Sequence, residues 1–322
     1  MTTSFTPGVA ALALAIGGPA VAAGARQAPL PSPAAHAPVQ SIEFVRVDSE
    51  ITLRRLIVRS PGSKETILLL HGFPETVLAW QDVASRLAGR YEVHAIDWPG
   101  YGLSTRPLAT KFGYAPRDYA RILRAYIRVA KINRSKLTIY ATDIGALPAL
   151  LVALEDPKIA RRIIVGDFAP LDRPEFMAER LQRLKAPETG EQVRIALNQS
   201  RDEILENAFK RGLPAPSQPR ISSALAADMR EGWNSGSMTS ADAFYHYYAH
   251  FTRDQKFLEA NLGRLKAPIE VVWGEQDIYI DTRMAREFAG RTGAKLTILP
   301  GIGHYPHHQD PELVVRQLLQ ED

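Results

Sequence analysis

Asp143 stands where a polypeptide chain would present a nucleophile. The apolar run Leu137-Thr138-Ile139-Tyr140 precedes it, a helix-forming run through Leu151 follows, and the small residues Ala141 and Gly145 flank it. Strand, small-x-acid-x-small, helix is the layout of a tight turn that lifts one side chain clear of a sheet. A carboxylate there attacks carbon and forms an ester on its own side chain, which is chemistry suited to epoxides and alkyl halides. An Asp in front of a helix is equally a common N-cap, and the pentapeptide alone does not separate the two readings. Partners for a nucleophile occur at other strand ends. Asp277 follows the run ending at Trp273, His304 follows the run ending at Leu299, and Asp167 follows Arg162 to Val165. His304 is placed to act as a general base, and either acid is placed to orient it.

The elements that must hold these residues alternate. Ser41 to Val47 and Ile51 to Arg59 read as a strand pair around the turn Asp48-Ser49-Glu50. Thr66 to Leu70 is a continuous apolar run, the pattern of a buried parallel strand. Helical spacing over Val77–Leu87, a strand at Tyr91–Ile96, and a helix at Pro116–Ala130 lead to the strand before Asp143. Between residues 172 and about 262 the alternation stops, and the chain becomes polar and helix-rich. Strand-helix order then resumes from Ile269 to Leu319. The expectation is an α/β fold: a mostly parallel, doubly wound sheet over 41–172 and 263–322, interrupted by a helical cap over 173–262.

Residues 1–40 differ in kind. Val9 to Ile16 is a short apolar run, with small-x-small sites at Ala20-Val21-Ala22 and Ala23-Gly24-Ala25. The expectation is a signal peptide over 1–25 and a Pro/Ala-rich linker over 26–40, hence export to a periplasm or the exterior. No Lys or Arg precedes Arg26, so an Ala-rich tail on a cytoplasmic protein is the alternative. The run is too short for a stable membrane span.

The chain has no Cys, which excludes disulfides and thiolate chemistry. Its net charge of +4 comes from dispersed residues, so no nucleic-acid partner is expected. His304, His307 and His308 lie close in sequence but lack the acidic ligands and helical spacing of a zinc motif, so neither metal nor cofactor is expected. Oligomeric state is not readable.

Three motifs carry a resemblance. His71-Gly72-Phe73-Pro74-Glu75 resembles an H-G-x-P oxyanion loop. Asp97-Trp98-Pro99-Gly100-Tyr101-Gly102-Leu103-Ser104 resembles a D-x-P-G-x-G-x-S turn. Thr142-Asp143-Ile144-Gly145-Ala146 resembles an H-D-I-G elbow, with Thr replacing His. Together they are similar to the Asp-nucleophile branch of the α/β-hydrolase superfamily, the epoxide hydrolases and dehalogenases, over about residues 42–172 and 265–320. The resemblance implies that Asp143 forms the ester and that His304 activates the water that hydrolyses it. It also implies that the amides of Phe73 and Ile144 hold the oxyanion. Asp277 sits at the usual position of the relay acid, and Asp167 at the position some members use instead. The cap of such enzymes supplies the proton for a leaving alkoxide. Phe244-Tyr245-His246-Tyr247-Tyr248 is the source here: Tyr248 as the donor, with Tyr247 and His246 as possible seconds. Those two and Trp98 are expected to contact a small, apolar substrate. Packing of cap on core is the other use of such an aromatic cluster. Dehalogenases of this branch carry Trp, Asn or Arg where this chain has Phe73, Ile144 and Leu147. That favours epoxide opening to vicinal diols over halide removal, and a non-catalytic binding protein on the same scaffold is the third reading.

Overall fold

The computed structural model describes residues 38–319. The expectations of a signal peptide and of most of the linker fall outside them. Eight strands form one sheet: β1 Val39–Arg46, β2 Thr52–Arg59, β3 Thr66–Leu70, β4 Glu92–Ile96, β5 Leu137–Thr142, β6 Arg162–Gly166, β7 Ile269–Gly274 and β8 Lys295–Leu299. Six α-helices belong to this core: α1 Gln81–Leu87, α2 Pro116–Val129, α3 Ala146–Glu155, α9 Thr282–Thr292, α10 Pro306–Gln309 and α11 Pro311–Leu319. Five more form the cap between β6 and β7: α4 Glu179–Lys185, α5 Gly190–Gln199, α6 Arg201–Asn207, α7 Ser223–Trp233 and α8 Ser240–Ala260. The strand order is β1-β2-β4-β3-β5-β6-β7-β8. β1, β2 and β4 pair antiparallel, and every pair from β4 through β8 is parallel.

Alternation along the strands sorts the core onto two faces. Ile67 and Leu69 of β3 pack with α1 and α11. Leu68 and Leu70 pack with α2, α3 and α9. All six residues of β5 are buried, as a central parallel strand requires. Two readings shift by a turn of chain: the helix expected from Val77 opens as a 3₁₀ turn at Val77–Trp80, and the one after Asp143 opens as another at Asp143–Gly145. In both places the chain leaves a strand end in a tighter turn before settling into the α-helix.

The cap is tied down by charge. Arg54 of β2 donates to Asp97 at 2.5 Å and, with both terminal nitrogens, to Asp228 of α7 at 2.6 and 2.8 Å. Arg106 reaches into the cap to the carbonyls of Gly232 and Met238. Asp254 of α8 accepts from the Arg117 backbone and side chain on α2. Helix α8 starts on a capping box: Thr239 accepts from Asp242 N, and Asp242 accepts from Thr239 N, both at 3.0 Å. No described helix is long and apolar enough to cross a membrane.

Candidate active site

Asp143 occupies the first position after β5 with φ +49°, a left-handed conformation unusual for any residue with a Cβ. The N-cap reading does not hold, because this residue begins the 3₁₀ turn and Thr142 occupies the cap position. The elbow pushes the carboxylate toward the loop after β3. There Gly72 is obligatory in size: a Cβ on it would lie 2.6 Å from the Asp143 Cβ. Phe73 N donates to Asp143 Oδ2 at 3.3 Å. No hydrogen bond from Ile144 N to Asp143 is recorded among the described residues. The Ile144 carbonyl accepts the Tyr247 hydroxyl at 3.1 Å. Thr142, where the resembling motif has His, keeps its hydroxyl buried without a partner.

His304 bridges two carboxylates. Its Nε2 lies 3.3 Å from Asp143 Oδ2 and its Nδ1 lies 2.8 Å from Asp277 Oδ2. The other oxygen of Asp277 accepts from Tyr279 N at 2.7 Å and Ile280 N at 3.1 Å, so this acid is fixed at both ends. Asp277 is thus the acid in contact with the imidazole. Asp167 is not: its Oδ1 accepts from Gly274 N at 2.9 Å, and its Oδ2 is buried without a partner.

The electrostatics follow from this geometry. Burial alone would depress the His304 pKa. The Asp277 charge and the hydrogen bonds to both carboxylates outweigh it, so the imidazole is held well above its usual range and rests as an imidazolium. Burial, then the charge of Asp277, pushes Asp167 well above the usual carboxylate range, so it rests neutral. Tyr248 is raised by burial and by the charges of Asp143 and Asp277, so its phenol keeps its proton.

These groups open on a cavity of about 230 Å³. Phe73, Phe244, Tyr248 and Phe251 supply its aromatic wall, and Asp143 and His304 its reactive floor. The Phe73 and Phe244 rings stack at 4.2 Å. Tyr248 faces the cavity, and its hydroxyl has no hydrogen-bond partner among the described residues. Tyr247 also lines the cavity, with its hydroxyl spent on Ile144. Two expected substrate contacts lie elsewhere. Trp98 is fully buried beneath the oxyanion loop, its indole donating to the His71 carbonyl at 3.1 Å. His246 turns away on the helix and lies against the Tyr114 ring at 6.0 Å. Adjacent positions on a helix point about 100° apart, so a run of five aromatics cannot all face one cavity.

Other contributors escaped the sequence reading. The Tyr305 hydroxyl donates to the Phe73 carbonyl at 2.7 Å and steadies the oxyanion loop. Glu75, fully buried, accepts from Gly72 N at 2.8 Å and from His307 and His308 at 2.6 and 2.7 Å. Position beside His304, and inclusion in the H-G-F-P-E run, were the signals available for Tyr305 and Glu75. Among the described residues, two clusters each bring three residues of metal-ligating type together: Glu75, His307 and His308, and Asp167, Asp277 and His304. In the first, both imidazole Nε2 atoms address one oxygen, Glu75 Oε1, so both carry protons that a metal would have to displace. In the second, both ring nitrogens of His304 are engaged by carboxylates and burial favours the protonated form of Asp167, a poor donor set for a cation.

Residues 65–311 match the family model described as the alpha/beta hydrolase fold. The chain belongs to the α/β-hydrolase fold family. Its relatives are distant. An uncharacterized protein of Mycobacterium tuberculosis is 26% identical over 277 residues, covering 80% of this chain and 75% of that one. The 2-(acetamidomethylene)succinate hydrolase of Mesorhizobium japonicum is 23% identical over 295 residues, covering 88% and 96%. Among solved structures, the Cif epoxide hydrolase from Acinetobacter nosocomialis superposes with a TM-score of 0.70 at 18% identity, covering 87% and 88%. At this identity the likeness shows the α/β-hydrolase fold alone.

Proposed function

We propose that this α/β hydrolase opens epoxides to vicinal diols through an ester on Asp143. The observation that carries the proposal is a carboxylate, not a hydroxyl, on the left-handed elbow, with one oxygen touching both the Phe73 amide and His304. The likeness to an epoxide hydrolase structure supports it at the level of fold.

In this reading Asp143 Oδ1 attacks an epoxide carbon and the ring C–O bond breaks. Its electron pair takes the Tyr248 proton, and the phenolate regains a proton from the His304 imidazolium by way of water. Alkylation removes the Asp143 charge. That charge is one of the influences keeping Tyr248 protonated and one of the two holding His304 as imidazolium. The same event therefore helps the phenol release its proton and converts His304 to a base. Neutral His304 then takes a proton from a second water, whose oxygen adds to the Asp143 carboxyl carbon. The negative charge collects on Oδ2 beside Phe73 N–H. On collapse the ester C–O bond breaks and the leaving alkoxide takes the proton held by His304, which releases the diol; the new carboxyl group then gives its proton to His304, restoring the ion pair. Ile144, Leu147 and Phe73 offer no side-chain donor to a halide, which favours the alkoxide as leaving group.

The test is covalent trapping. His304→Asn incubated with styrene oxide should accumulate a hydroxyalkyl adduct on the Asp143 peptide, read by mass spectrometry. The adduct should be absent from the Asp143→Asn, His304→Asn double variant. No adduct with any epoxide, or an adduct elsewhere, sinks the reading.

A further inference from the structure

Six of the nine arginines of the cap are committed. Arg173, Arg194, Arg201, Arg211, Arg230 and Arg253 each reach a carboxylate. Among the described residues three cap arginines reach none: Arg180, Arg183 and Arg220. Two of these stand together on α4. They flank a recess of about 160 Å³ between α4 and α5, which Gln192 also lines. The recess is not isolated, because Arg180 and Leu197 line both it and the catalytic cavity. The catalytic cavity is lined also by the apolar Leu181, Ile204 and Ala208, and by Arg211, which is paired with Glu203. The nearby carboxylate of Glu203 does not neutralise the pair, since Arg211 holds both of its oxygens.

We propose that the recess is an anion subsite, and that the preferred substrates are epoxides carrying a carboxylate at the far end of an apolar spacer. The substrate class rests on the epoxide reading above; the subsite itself does not. A guanidinium presents two parallel N–H groups that match a carboxylate, and two arginines around one recess offer two such forks. The spacer lies along the apolar wall, where burial of methylene groups supplies affinity. A single exposed ion pair contributes little, so the two arginines together set an expected preference of about tenfold. Both side chains are exposed, so the preference shrinks as salt is raised.

The full chain is assayed with ω-epoxyalkanoic acids of eight to twelve carbons and with their methyl esters. The acid is expected to exceed its ester about tenfold in kcat/KM at the best length. Arg180→Gln with Arg183→Gln should bring that ratio to about one, the corresponding double Lys variant should keep part of it, and Arg220→Gln should keep all of it. A ratio near one in the unaltered protein, or a ratio that survives R180Q/R183Q, overturns the proposal. Calorimetry with decanoate and decanol reads the subsite without any chemistry. R180Q/R183Q should weaken decanoate about tenfold and decanol far less, and equal effects on both overturn the subsite. If no epoxide is opened but decanoate behaves as expected, the epoxide reading falls and the anion subsite stands.

Discussion

The core and the cap handle charge in opposite ways. In the core, Asp143, His304 and Asp277 are gathered at strand ends with side chains 14%, 6% and 0% exposed, and backbone amides fix their oxygens. In the cap most charges lie outside, as Arg–carboxylate pairs between helices such as Arg194–Asp242 and Arg230–Asp202. Buried and preorganised charge is strongly coupled, so changing one group re-tunes the others. Exposed pairs are screened and contribute little singly, so they can be rearranged at low cost. Under the proposed mechanism the core is therefore the place where chemistry is decided, and the cap the place where the substrate is chosen.

The largest break in this contrast should come from the core. Asp277→Asn leaves His304 without the acid that orients it and supports its charge, so ester hydrolysis should slow about 10³-fold while ester formation is less affected. Stopped-flow kinetics separates the two steps, and parallel losses in both would argue against a relay role. Next is Tyr248 of the cap, the proposed proton donor: Tyr248→Phe should slow ester formation about 10²-fold in single-turnover experiments and leave hydrolysis of a preformed ester near its original rate. A Tyr247→Phe loss as large would shift the donor role to the residue that here is bound to Ile144.

The clamp between the two regions comes third. Asp228→Asn removes the partner of the Arg54 terminal nitrogens and should cost about 2 kcal/mol of stability, read by urea denaturation. Uncoupled unfolding of cap and core in that variant would show two cooperative units where one is expected. The smallest effect should come from Asp167. Its folded pKa is raised, so it costs the fold stability as pH climbs above about 3.8, where the unfolded chain ionises freely. Asp167→Asn removes that penalty, so its melting temperature should match the unaltered protein near pH 3.5 and exceed it at pH 7. Turnover should fall far less than for Asp277→Asn; a comparable fall would give Asp167 a part in the relay.

How much of this was legible differs between the same two regions. The strand ends were readable because a parallel strand is a continuous apolar run, and the residue after it is where an α/β sheet builds its site. Asp143, His304 and Asp277 stand out for that reason. Which acid meets His304 was not readable, because Asp167 and Asp277 follow neighbouring strands and only the loop path decides. The chain puts Asp277 against the imidazole and turns Asp167, at φ +52°, toward the Gly274 amide. The cap was readable only as helical. His246, Tyr247 and Tyr248 are consecutive, and which of them faces inward depends on the roll of α8, set by packing on α2 and α3. Trp98 was misplaced by its position after a strand: the turn that follows folds back and buries it under His71. Arg180 gave no signal in the sequence, since what marks it is the lack of a carboxylate partner among the described residues.

Phe73 belongs to both regions at once. Its amide faces Asp143 and its carbonyl is fastened by Tyr305, both core residues, while its ring stacks on Phe244 and tilts against Trp233 of the cap at 5.6 Å. The Phe73 amide is thus anchored independently of the surface on which the ring rests. A chimera carrying a foreign helical insert, provided that it offers an aromatic seat for this ring, would inherit the stabilising amide intact. Under the proposed mechanism, one residue makes the reacting half of the molecule a reusable module and the helical insert an interchangeable part.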